Sequence, residues 1–132
     1  MKKNVVSRDV AMIEVEKWLD NKKLSDKKRE TNKDSIDALI EGIEDGILSI
    51  DESDFSIKMN LDFPVGDLKT LTFKARLSVG ELHKYLNGVK STDGDGRILA
   101  YVCALTGQNS GLIKMMFLED YSVASNIAYF FL

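Results

Sequence analysis

Two helices are predicted from the hydrophobic pattern in the first third of the chain. A broad apolar face predicts a helix over residues 7–20, and its members are Val10, Ile13, Val15, Trp18 and Leu19. A narrower stripe at helical spacing predicts the next helix, with Ile36, Leu39, Ile40, Ile43 and Ile47 on one side. Residues 21–34 between them are highly charged, which is typical of a linker with some helical character.

From residue 55 onward, apolar residues alternate with polar ones. The alternation runs through residues 55–63 and returns in residues 71–77, after a turn at residues 64–67. It predicts an antiparallel β-hairpin with one apolar face and one polar face. A lone hairpin is only marginally stable in water, so its apolar face must pack on helices or on another chain.

The remainder of the chain has the signals of short helices. Ser78 and Glu81 match the capping box that begins a helix, predicted here over residues 79–86. Further helices are expected over residues 97–105 and from Ser110, and Asp120 is the predicted N-cap of the last one. We therefore expect an α+β fold that is mainly helical, with one antiparallel β-hairpin packed on the helices.

The length of 132 residues, with 44% apolar and 30% charged residues, fits one ordinary domain. We expect an N-terminal helix and charged linker over residues 1–34, and one globular unit over residues 35–132. The basic start Met1-Lys2-Lys3 is followed by no apolar run, so no signal peptide is expected. Charged residues interrupt the apolar region 112–132, so no membrane span is expected. With a single cysteine, the chain fits the reducing cytoplasm.

The net charge of −3 argues against nucleic acid as the partner, since such binding relies on Lys and Arg. Charge is uneven: residues 1–34 hold ten Lys/Arg and seven Asp/Glu, whereas residues 35–62 hold one and eight. The acidic middle is a solvated helix face or a surface for a basic partner. The basic stretch 22–33 supports one alternative, a small nucleic-acid-binding regulator with steeply salt-dependent binding.

Candidate catalytic and metal-binding groups are few. His83 is the single histidine, and Cys103 lies within an apolar run, where a buried and inert thiol is expected. The loop Asp93-Gly94-Asp95-Gly96 lacks the glutamate that a calcium loop places at its twelfth position, because Ala104 stands there. We expect no enzyme, no metal and no cofactor. A small enzyme that uses His83 or Cys103 is the second alternative.

The aromatic residues near the end of the sequence must pack into the core or against a partner, and the pattern leaves both open. The residues expected first at a partner or subunit interface are Tyr121, Tyr129, Phe130, Phe131 and Leu132. Those expected second are Trp18, Ile36, Ile40 and Ile43. Because both the hairpin and the aromatic end need cover, we also expect a homo-oligomer.

Residues 55–132 resemble the tail assembly chaperones of long-tailed bacteriophages. The resemblance lies in the hairpin and in three short motifs: Arg76-Leu77-Ser78-Val79-Gly80-Glu81, Leu105-Thr106-Gly107, and Asp120 followed by Val123 and Ala124. It implies a non-catalytic protein of the host cytoplasm that binds the tape measure protein and helps to recruit tail tube protein around it. The helical first 50 residues are not part of the pattern.

Overall fold

The computed structural model describes residues 6–132. The predicted N-terminal unit 1–34 therefore begins, with Met1-Lys2-Lys3, outside the described residues. Within the described range the helices are α1 (Arg8–Lys22), α2 (Asp26–Thr31), α3 (Lys33–Glu44), α4 (Val79–Leu86), α5 (Gly94–Thr106), α6 (Ser110–Ile113) and α7 (Leu118–Ala128), followed by a 3₁₀ turn (Tyr129–Phe131). The strands are β1 (Leu48–Ile50), β2 (Ile57–Val65) and β3 (Leu68–Phe73).

The three strands form one antiparallel sheet in the order β1-β2-β3. In the predicted hairpin, Ile57 of β2 lies opposite Phe73 of β3, and Met59 lies opposite Leu71. These four side chains are buried, whereas the alternating polar side chains are exposed. The predicted fold class, a mainly helical α+β fold with a hairpin packed on the helices, is confirmed, and the structure adds β1 as a third strand.

β1 lies where the sequence pattern suggested the end of a helix. Helix α3 stops at Glu44, and Gly46 takes a left-handed conformation with φ of 77°, which glycine adopts at little cost. The chain then reverses, so Leu48 pairs with Met59 of β2. Gly42 permits the close return: a Cβ built there would lie 2.5 Å from Cδ1 of Leu48.

One core joins the N-terminal helices to the rest of the chain. Buried side chains on α1 are Ala11, Val15, Trp18 and Leu19, whereas Val10 and Ile13, predicted on the same face, are exposed. The Trp18 indole donates a hydrogen bond to the Phe55 carbonyl oxygen at 3.1 Å. The charged stretch contains the six-residue helix α2, which Ser25 caps by accepting from the Lys28 amide.

The capping signals at α4 and α7 had different outcomes. At α4 the predicted capping box is present: the Glu81 amide donates to Ser78 Oγ at 3.1 Å, and the Ser78 amide donates to the Glu81 carboxylate at 3.4 Å. At α7 the prediction was wrong, because Phe117 occupies the N-cap position and Asp120 lies inside the first turn. The Asp120 carboxylate instead contacts β2.

Candidate protein-binding surface

Four of the nine residues predicted to contact a partner belong to the core of this chain. Trp18, Ile40, Ile43 and Phe130 are buried. The rings of Trp18 and Phe130 meet edge to face, with centroids 5.1 Å apart. Such aromatic pairs favour this geometry, and here it uses both side chains internally. These four side chains are therefore not available to a partner in this conformation.

The other five predicted residues reach the surface to different degrees. Ile36, Tyr121 and Phe131 are partly buried against the core, while Tyr129 and Leu132 are exposed. Tyr129 and Leu132 line a shallow cleft with Asn32 and other polar residues of α2 and α3. Among the predicted residues, these five are the ones that the structure leaves open to contact.

A second group of exposed apolar side chains lies on β2 and on the segment that leads from α6 into α7. It consists of Phe63, Met115, Phe117 and Leu118, which are between 47% and 81% exposed, and we call it the hairpin patch. The Phe63 and Phe117 rings pack edge to face with centroids 6.0 Å apart. A sequence signal existed in the largely apolar segment 112–118, but only the fold shows that Phe117 of this segment packs against Phe63.

Asp120 holds the two sides of the hairpin patch together. Its side chain is only 1% exposed, and its two carboxylate oxygens accept hydrogen bonds from the backbone amides of Asp62 and Phe63, each at 2.9 Å. Two successive amides can face the same way because the β2–β3 register shifts between Asn60 and Val65. These two hydrogen bonds join the first turn of α7 to β2 and hold Phe63 beside Phe117.

A cleft of about 420 Å³ continues from the hairpin patch at Leu118. Its apolar walls are Leu99, Ile113, Met116, Leu118 and Tyr121, and Asp93, Asp95 and Lys114 also line it. Burial, followed by the neighbouring Cys103, raises the pKa of the Tyr121 phenol. The phenol hydroxyl is a hydrogen-bond donor at neutral pH. An apolar side chain with a cationic neighbour would complement the cleft and its aspartates.

The two residues considered for catalysis, His83 and Cys103, differ in exposure. His83 is exposed on α4, as expected of a lone surface histidine. Cys103 is buried on α5, as predicted, and burial raises the pKa of its thiol, which disfavours the nucleophilic thiolate. Within residues 6–132, no group of three or more His, Cys, Asp or Glu side chains is arranged to hold a metal ion. None of the helices in this range has the length and apolar character to cross a membrane.

Comparison with protein-family models, curated proteins and solved structures found no match to this chain. Its function is therefore inferred from the surface itself and from the motifs described above.

Proposed function

We propose that this chain is a non-catalytic tail assembly chaperone that binds the tape measure protein and helps to recruit tail tube subunits. The hairpin patch carries the proposal. Large apolar side chains that meet on the surface of a small protein typically mark an interaction site. Aromatic and methionine side chains, of which this patch has three, are the types enriched at such sites.

The shape of the surface suits an amphipathic helix. A helix that binds in a groove inserts apolar residues spaced by one turn, while its polar face remains in water. Phe63 and Phe117 offer such a helix an aromatic platform, and the adjoining cleft accepts a further side chain beyond Leu118. A long helical protein with apolar stripes, as the resemblance implies for the tape measure protein, presents this type of ligand.

Co-expression with the tape measure protein encoded in the same genome tests the proposal. We expect tagged wild-type chain to retain soluble tape measure protein during affinity purification. The double variant Phe117→Asp/Leu118→Asp should lose it, because two charges would be buried in the interface. Val79→Asp is a control that introduces one such charge elsewhere: Val79 is exposed and apolar, but it lies outside the hairpin patch.

Two results would refute the proposal. One is the absence of any complex between the wild-type chain and tape measure protein. The other is equal retention by wild type and Phe117→Asp/Leu118→Asp, provided that circular dichroism shows the variant to be folded. Light scattering across a concentration range tests the expected homo-oligomer separately, since a second copy of the chain would also cover the hairpin patch. A strict monomer would contradict that part.

A further inference from the structure

A second surface lies where the end of α1 faces the segment that follows β3. It is a cleft of about 400 Å³ that we call the basic cleft. Its cationic members are Lys22, Lys23, Lys28 and Arg76. Its apolar lining is Leu77, Phe131 and Leu132, with the buried side chains of Leu24 and Phe130 behind them. None of these residues belongs to the hairpin patch, so the two surfaces are separate.

Among residues 6–132, the ion pairs between side chains involve none of the four cations of the basic cleft. The Arg76 guanidinium donates to the side-chain and backbone oxygens of Asn21, at 3.1 and 2.9 Å, and both acceptors are neutral. Lys22 Nζ lies 3.3 Å from the centroid of the Phe131 ring. Arg29 in the same basic stretch differs, because it forms ion pairs with Glu16 and Asp20.

The positive charges in the basic cleft repel one another. Burial lowers the pKa of Lys22 to about 8, with further contributions from the nearby charges of Arg76 and Lys28. The Phe131 ring acts in the opposite sense and favours the charged amine. An anion placed among these cations would relieve the repulsion, so the cleft has the electrostatics of an anion-binding site.

We propose that the basic cleft binds an acidic segment of a partner protein, with a carboxylate at Arg76 and Lys28 and an apolar side chain against Leu77. Charge complementarity and the apolar wall argue for this occupant together. A nucleic acid fits less well: Lys22 covers the Phe131 ring, the nearest face for stacking a base, and the chain carries a net charge of −3.

A labelled peptide can test this inference without any natural partner. The probe is a short fluorescein-labelled peptide in which glutamates flank a Leu-Phe pair, and anisotropy measures its binding. We expect the variant Lys28→Gln/Arg76→Gln to weaken binding about tenfold at low salt, because it removes two charges from the cleft. Lys58→Gln/Lys69→Gln is the matched control, since it removes two exposed lysines of β2 and β3 that do not line the cleft.

Two further peptides separate the contributions of charge and apolar contact. Replacing the glutamates by glutamines, or the Leu-Phe pair by serines, should weaken binding to the wild-type chain in each case. Amide chemical shifts in wild type should change at Arg76 and Leu77. Phe117→Asp/Leu118→Asp should bind the acidic peptide like wild type, so this inference can fail or succeed independently of the tape measure experiment.

The inference is overturned if the glutamine peptide binds as tightly as the glutamate peptide, or if the wild-type chain binds neither. The inference is equally overturned if Lys58→Gln/Lys69→Gln weakens peptide binding as much as Lys28→Gln/Arg76→Gln does, since the change in net charge alone would then explain the weaker binding. A single-stranded oligonucleotide that binds more tightly and displaces the peptide would assign the cleft to nucleic acid instead.

Discussion

Replacing Asp120 by asparagine should destabilise the protein far more than a surface change would. Asparagine has nearly the same shape as aspartate, so packing is preserved. However, its amide offers one acceptor oxygen where the carboxylate offers two, and its NH₂ group would face a backbone amide as donor against donor. Either the Asp62 or the Phe63 amide would then lose its 2.9 Å bond to a nearly fully buried side chain.

The cost follows from the strength of these bonds. A hydrogen bond to a charged group contributes about 1.5–3 kcal/mol, and an opposed donor adds to the loss. Asp120 also lies in the first turn of α7, where a negative charge contributes about 0.3–1 kcal/mol through the helix dipole. We therefore expect Asp120→Asn to lower the free energy of unfolding by about 2–4 kcal/mol. Since small domains have about 5–15 kcal/mol in total, this loss is large.

Urea denaturation followed by circular dichroism measures the effect, with Glu119→Gln as control. Glu119 is the exposed acidic neighbour in the same first turn, and its replacement should cost only the helix-dipole contribution of about 0.3–1 kcal/mol. In Asp120→Asn, amide hydrogen exchange should accelerate at Asp62 and Phe63 before it does elsewhere in β2. If the free energies of unfolding of Asp120→Asn and Glu119→Gln differ by less than about 0.5 kcal/mol, the two hydrogen bonds contribute little to the stability of the fold.

Two further substitutions test packing and charge. Gly42→Ala should lower the free energy of unfolding, measured in urea, by about 1–3 kcal/mol, because the new methyl group would overlap buried Leu48. Gly80→Ala is the control and should not destabilise the protein, because there is open space around Gly80. Equal free energies of unfolding for the two variants would contradict the overlap. Lys22→Met should abolish a rise in stability between pH 8 and 10.5. In that window the unfolded lysine is protonated and the folded one, with its pKa of about 8, is not, so wild-type stability increases with pH. After allowance for partial exposure the rise should be about 1–2 kcal/mol relative to Lys22→Met, and a pH-independent difference would refute it.

The hairpin and most helices were predictable because each depends on local periodicity. Alternation placed Ile57 and Met59 on the buried face, and the stripe on α3 placed Leu39 and Ile43 in the core. β1 was not predictable in this way, since three residues are too few to show a period and its pairing depends on a distant strand. The candidate surface was only partly predicted. Tyr121 lines the cleft beside the hairpin patch, whereas Phe130 is buried in the core.

Asp120 shows that a local sequence pattern does not determine the tertiary contacts of a side chain. Its position near the start of an apolar-periodic segment matches an N-cap, and helix α7 does begin close to it. Its actual partners are amides 57 and 58 residues earlier in the chain. The sequence by itself determined the hairpin, most of the helices and the uneven charge, because these follow from side-chain type and spacing. Only the tertiary structure decided which apolar residues remain exposed and which cations lie together, because both depend on contacts between segments far apart in the chain.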